Sequence, residues 1–424
     1  MQVMKWSIIA LAVAAGSTQM AMASSQSESK GFVEDSSFDI FNRALYMNRD
    51  FKNGASNGAS DSANPAGYRE EFGLGIRLLL ESGFTQGTVG VGFDAHSLSS
   101  IKLDSGRGRV GTGQFSKTGD GRADDTQTEV GGAIKFRVSD TVLKHGNMMV
   151  DTPVFSTDDS RILPEVGTGT LVTSNEIEGL EINAGRFTGL SGQTATTRDS
   201  EGLESINFAG ASYSFTDDFS GAVYASRVED EFNKRYLNLN YNLGLAEDQS
   251  LNFDFNAYRT TDTGNNPDEI DNNIWSLAAA YNIGAHTVTL AHQRSSGNSG
   301  YAYGIDGGGT IYLANSVQIS DFDSQDERSW QARYDLDMAS FGVPGLKFMT
   351  RYVRGYDINW GTDQEGKERE WNLEARYTFQ EGPAKDLMIR ARSSIYRANT
   401  VHNDNYASDM NDFRLIVEYP LSVL

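Results

Sequence analysis

The chain has 424 residues, with 36 lysines and arginines against 57 aspartates and glutamates, a formal net charge of -21 and no cysteine. So acidic a protein lacks the basic footprint that displaces counterions from nucleic acid, which excludes that partner, and no disulfide framework is available. Forty-four glycines, 18 tyrosines and 22 phenylalanines against 7 prolines favour aromatic-rich strands and tight turns over helices.

Residues 1–23 read as a secretory signal: Lys5 gives a positive start, 6–15 an apolar stretch, and Ala21, Met22 and Ala23 a small-x-small cleavage site before Ser24. The expected mature chain, 24–424, is a single domain. No later run reaches the roughly 20 apolar residues of a membrane helix. The negative mean hydropathy fits a soluble protein and equally a membrane barrel, whose strands are wet on one face.

Alternation of apolar and polar residues predicts strands at 36–50, 68–81, 84–97, 127–139, 141–149, 169–178 and 180–189, then at 203–215, 219–229, 233–245, 250–261 and 272–283. Further strands are expected at 286–295, 328–338, 345–356, 368–380, 385–397 and 411–421, about eighteen in all. Short connections carry turn chemistry at 81–83, 139–140, 178–179, 216–218, 246–248, 284–285, 341–345 and 381–383. Long ones alternate with them at 51–67, 98–126, 150–168, 190–202 and 296–327. Short turns at one end and long loops at the other are the arrangement of an outer-membrane barrel, with turns periplasmic and loops external.

The two faces of each strand are chemically opposed. Leu387, Ile389, Ala391, Ser393 and Ile395 share one face, while Met388, Arg390, Arg392, Ser394 and Tyr396 share the other. Leu237, Leu239, Tyr241, Leu243 and Leu245 likewise alternate with Asn238, Asn240 and Asn242, an asparagine face with no place in a dry core. The class expected is therefore all-β: a transmembrane antiparallel β-barrel with the apolar parity toward lipid. Trp275, Tyr281, Trp330, Trp371, Tyr377 and Tyr419 near strand ends suit interfacial girdles.

The other parity then lines a lumen. It contains Arg333, Lys347, Arg351, Arg376, Arg390, Arg392 and Arg414 on the later strands, with Arg77, Lys135 and Arg137 on early ones. Such a track attracts anionic groups, because a low-dielectric wall focuses the field and a guanidinium grips a carboxylate at two points. The competing reading is that these cations only balance lumen acids such as Asp254, Glu374 and Glu418. Acidic runs at 120–125 and 321–327 read as solvated loops. Two long loops are too apolar to float free: the third, 150–168, holds Pro153, Val154, Phe155, Ile162, Leu163 and Pro164, and the seventh, 296–327, holds Tyr301, Tyr303, Ile311, Tyr312, Leu313 and Val317. Both are expected to fold into the lumen and narrow it.

At these loops the chain resembles the OprD family of outer-membrane porins. The matching stretches are 32–37 (FVEDSS), 48–51 (NRDF), 159–164 (DSRILP, with Asp159 and Arg161), 178–180 (EGL), 313–318 (LANSVQ), 320–322 (SDF), 329–335 (SWQARYD) and 418–421 (EYPL). The resemblance implies an eighteen-stranded barrel, constricted by loops 3 and 7, that passes small carboxylate-bearing solutes such as amino acids, small peptides or aromatic and aliphatic acids. It also implies a basic ladder at Arg351, Arg376, Arg390, Arg392 and Arg414, and an acidic and hydroxyl patch on the seventh loop at Asp306 and Ser316. No cofactor or metal is implied. The partners expected are the carboxylate solutes, outer-membrane lipid and lipopolysaccharide, and the barrel-assembly machinery, with the protein a monomer or loose trimer. The acidity of the loops leans toward cationic amino acids.

Two rival classes remain at this point. An outer-membrane barrel protease or lipase would carry a rim active site, and His96 and His402 fall near outer strand ends, but no nucleophile elbow or HExxH motif accompanies the 5 histidines. A plugged structural barrel would conduct no ions.

Overall fold

A computed structural model describes residues 26–60, 65–264 and 269–424; the expected signal, 1–23, and the expected start at Ser24 lie outside the described residues. The strands are β1 (Ser37–Phe51), β2 (Tyr68–Glu81), β3 (Gly90–Asp104), β4 (Thr126–Val138), β5 (Thr141–Met148), β6 (Asp151–Thr152), β7 (Phe155–Ser156), β8 (Val166–Ile177), β9 (Leu180–Ser191) and β10 (Ile206–Ser214). They continue as β11 (Phe219–Val228), β12 (Phe232–Ala246), β13 (Gln249–Asp262), β14 (Asp271–Ile283), β15 (His286–Gly297), β16 (Arg328–Asp337), β17 (Leu346–Ile358), β18 (Gly366–Thr378), β19 (Met388–Ala398) and β20 (Met410–Ser422). All but β6 and β7 form one 18-stranded sheet of antiparallel neighbours. The first strand also pairs with the last, Arg43 opposite Glu418 and Met47 opposite Arg414, so the sheet closes and leaves no edge.

The alternation of the sequence is the alternation of the wall. Along β18, Glu368, Glu370 and Asn372 are buried while Arg369, Trp371 and Leu373 are exposed. Outward Trp275, Trp330 and Trp371 lie toward the long-loop end of their strands, and outward Tyr281, Tyr377 and Tyr419 toward the short-turn end. Both sets suit the two interfaces of a bilayer.

Two boundaries and one added element depart most from the expectation, each for a local reason. The strand expected at 84–97 runs instead from Gly90 to Asp104. Here the Gln26 amide donates to the Thr85 and Gly87 carbonyls (2.8 and 3.1 Å) and Ser29 Oγ to the Phe84 carbonyl (2.7 Å), so 84–87 bonds to the N-terminal segment rather than to the ladder. The turn expected at 381–383 spans 379–387, closed by Asp386 N–H to the Phe379 carbonyl at 2.9 Å. The third loop holds the short β6–β7 hairpin, which the periodicity did not reveal because a two-residue strand has no period to read.

Inside the barrel the packing is built by loops against the wall. Phe155 of the third loop lies 4.5 Å from Phe187 and 5.9 Å from Phe208, ring centre to ring centre. Each such pair is worth about 0.5–1.5 kcal/mol beyond area burial. A second cluster joins Ile162 and Leu163 to Leu45, Met47 and Ile416 of the wall and to Val110 and Phe115 of the second loop, 105–125. That second loop also packs inward, which the sequence reading left as an ordinary long connection.

Candidate functional site

The inward parity of β16 to β20 arranges the seven basic residues in three cross-strand rows. Arg333 stands opposite Arg351; Arg392 opposite Arg414; and Arg376 opposite both Lys347 and Arg390. Two residues separate successive rows on a strand, which is roughly 7 Å along it. The sequence-expected cations are thus brought together on one arc of the wall.

Their partners are uneven. Arg333 forks onto Asp335 (2.7 Å on both oxygens), Lys347 meets Asp337 at 2.7 Å, Arg392 meets Glu374 at 3.1 Å and Arg414 meets Asp412 at 2.7 Å. Arg351 donates to Asn372 Oδ1 at 2.7 Å, a neutral partner. Arg390 reaches Glu418 only at 3.9 Å, and its Nε is buried without a hydrogen-bond partner among the described residues. Of the balancing acids, Glu374 and Glu418 do pair with these cations, whereas Asp254 accepts from Asn238, Asn240 and Asn256 instead. The rows therefore hold more donors than their acids use.

The third loop is fastened opposite β1 and β2. Asp159 receives Arg43 at 2.8 Å and Arg77 at 2.5 Å. The chain passes so close to β2 that a Cβ on Gly75 would sit 2.2 Å from the Ile162 carbonyl oxygen, which explains glycine there. Arg161 donates to the Thr112 carbonyl at 2.7 Å; burial and nearby Arg414 pull its guanidinium down to about 10. Pro153 is buried within the hairpin turn rather than turned to a passing solute.

The seventh loop makes two kinds of contact. Asp306 is fully buried, paired with Lys234 of β12 at 2.5 Å, with the ammonium 4.4 Å from the Tyr301 ring centre. Ser316 donates to Asp321 at 2.5 Å and Tyr303 to the same carboxylate at 3.0 Å. Burial, with Glu370 and Glu368 near, pushes Asp321 up to about 6. The half-buried acid beside Ser316 is thus Asp321, while Asp306 has its carboxylate occupied. Tyr312 donates to Asp151 of the third loop.

Residues the sequence reading missed seat this loop beside the ladder. Glu370 accepts from the Ile319 and Ser320 amides (3.1 and 3.0 Å), Asp412 from Gln318 (2.6 Å), and Arg414 donates to the Gln318 carbonyl at 3.1 Å. Their signal was present, since Glu370 and Asp412 share the inward parity of the arginines. At the rim, His402 Nε2 lies 3.5 Å from Glu368 and its Nδ1 accepts from Trp360; both members of the pair are buried, and the Glu368 carboxylate accepts from Ser320 Oγ of the seventh loop at 2.8 Å.

A closed eighteen-stranded barrel, apolar outside and basic inside, with loops bonded to its inner wall, defines a porin of the bacterial outer membrane. The family model described as "outer membrane porin, OprD family" matches residues 30–423, and the chain belongs to the OprD family. It is 46% identical to Porin D of Pseudomonas aeruginosa, with all of both chains covered, and 33% identical to the Porin-like protein GalP of Pseudomonas putida over 94% of this chain and 95% of that one. The solved structure of Acinetobacter baumannii OccAB1 superposes with a TM-score of 0.88 at 34% identity, covering 95% of this chain and 100% of that one. Pseudomonas aeruginosa OpdK, solved with vanillate, gives 0.81 at 33% identity over 92% and 100%. The protein is accordingly a multi-pass porin of the Gram-negative outer membrane, and its relatives are porins rather than enzymes.

Proposed function

We propose that the pore selects small solutes bearing a carboxylate, passing them along Arg333, Arg351, Arg414, Arg392, Arg376, Lys347 and Arg390 after export and removal of residues 1–23 and insertion by the barrel-assembly machinery. The observation that carries this is the set of three basic rows with surplus donors, of which Arg390 Nε is the plainest. A carboxylate handed from row to row always finds a two-point partner roughly 7 Å ahead, so no single site holds it deeply. The hydroxyls of Ser316 and Tyr303 around Asp321 suit a second, polar or cationic, end of the solute. That pairing favours amino acids. Vanillate in the OpdK structure is likewise a carboxylate.

Planar-bilayer recording of the purified protein tests the proposal. A panel of carboxylates should block or modulate the current at concentrations where their uncharged amides do nothing. Equal effects of acid and amide would overturn the carboxylate assignment.

A further inference from the structure

A second set of arginines lies on the outside of the barrel, where no solute passes. Arg227, Arg235, Arg294, Arg354 and Arg369 occupy outward parity at the long-loop end of β11, β12, β15, β17 and β18, and all are exposed. Two residues further into the membrane on the same faces come Ala225, Leu237, His292, Tyr352 and Trp371, so the arginines sit just beyond the apolar band. Charge on this lipid-facing surface is tolerated only near the interface.

Their pairing is the informative part. Arg235 stands directly opposite Arg259, Arg294 opposite Arg328, and Arg369 opposite both Arg354 and Arg397. Like charges at such positions repel. Two of these partners have acids, Arg259 with Asp271 and Arg328 with Asp357. None of the five named first has an acid at ion-pair distance among the described residues. In a protein of net charge -21 this is an arc of uncompensated cations. No facing pair of outward arginines occurs among the described residues across β20 to β4, where the outward positions near the long-loop end hold Asn411, Asn48, Glu70, Leu103 and Thr128.

We propose that this arc, from β11 to β19, is a docking surface for the phosphate groups of the glycolipid headgroups in the outer leaflet, with one phosphate bridging Arg354 and Arg369, the facing pair in which neither guanidinium is already engaged by an acid, and others received by Arg235 and Arg294, whose facing partners are. A phosphate presents three acceptor oxygens and matches the fork of each arginine, so the bound anion converts repulsion into two-point contacts on both strands. The acyl chains of the same lipid then lie along Leu237, Tyr352 and Trp371 below.

The test uses the full-length porin in nanodiscs of phosphatidylcholine doped with bis-phosphorylated lipid A or with its dephosphorylated form, and native mass spectrometry to count retained lipid. Wild type should retain the phosphorylated form at least tenfold better, and Arg235→Gln, Arg354→Gln and Arg369→Gln combined should reduce that preference to about twofold, with bilayer conductance unchanged as the check of a folded pore. Equal retention of the two lipids by wild type, or an unchanged preference in the folded triple variant, would overturn the proposal.

Discussion

The arginines inside the barrel and those outside it differ by one step of strand parity and by almost everything else. Inside, guanidiniums are buried or half-buried among acids that take part of their hydrogen-bonding capacity, as with Arg392 and Glu374. Outside, they face each other across strands, exposed, and Arg354 and Arg369 have no acid at all among the described residues. The roles proposed above follow that contrast: the inner set would be left as well as entered, and the outer set would hold an anion that stays. Which role an arginine plays is decided by whether its residue number is odd or even within its strand.

The sharpest break should come from removing the acid that ties buried arginines to a loop. Asp159→Ala strands Arg77, 3% exposed, and leaves Arg43, equally buried, with Glu418 (2.7 Å) as its one acid, and should cost roughly 3–5 kcal/mol. The urea midpoint in detergent should fall, and single-channel conductance should rise as the third loop loosens. Lys234→Met strands Asp306 and should cost about 3 kcal/mol, most of it recovered when Asp306→Asn is added; a double-mutant cycle in the same denaturation assay reads this. Purely additive losses would show the pair to be uncoupled.

Arg390→Ala with Arg392→Ala should lower carboxylate uptake roughly tenfold, the loss of one charge-assisted hydrogen bond of about 1.5 kcal/mol, while leaving uptake of uncharged solutes intact in liposome swelling. By contrast Arg354→Gln with Arg369→Gln should leave uptake in liposome swelling unchanged and, in phosphate-free micelles, raise stability by about 0.5 kcal/mol, since like charges no longer oppose.

The smallest effect is a pH dependence. Asp321 ionises near 6 in the folded protein, above its ordinary value, because burial and the neighbouring Glu370 and Glu368 disfavour the charge. Its contribution to stability is therefore full below the unfolded value near 4 and declines as pH rises through 6. Functionally, the loop patch gains its negative charge over the same window. Reversal potentials should shift toward cation preference between pH 5 and 7, and Asp321→Asn should abolish the shift.

Much of this was legible in the sequence. Each of the seven basic residues could be placed on the inward parity because strand parity is a local property: Arg390 and Arg392 need only Ala391 between them. The strand count followed from the same rule. What escaped depends on contacts between distant segments. That Gln26 would hold 84–87 out of the ladder, that the second loop would pack on the wall beside Ile162, and that Lys234 would claim Asp306 are encounters with no periodic trace. The resemblance pointed to an acid in the seventh loop, but only the fold distinguishes a carboxylate enclosed by an ammonium from one held by two hydroxyls.

The third and seventh loops touch at bare backbone. Gly307 passes so near the Ser156 carbonyl oxygen that a Cβ would lie 1.9 Å from it, Gly309 N–H donates to that oxygen at 3.1 Å, and Gly308 N–H donates to Glu165 at 3.0 Å. Loops sewn together in this way depend on each other's backbone path. Chimeras that exchange the third loop alone among relatives would import a seam cut for a different seventh loop, whereas exchanging both would move one pore's constriction intact into another's wall.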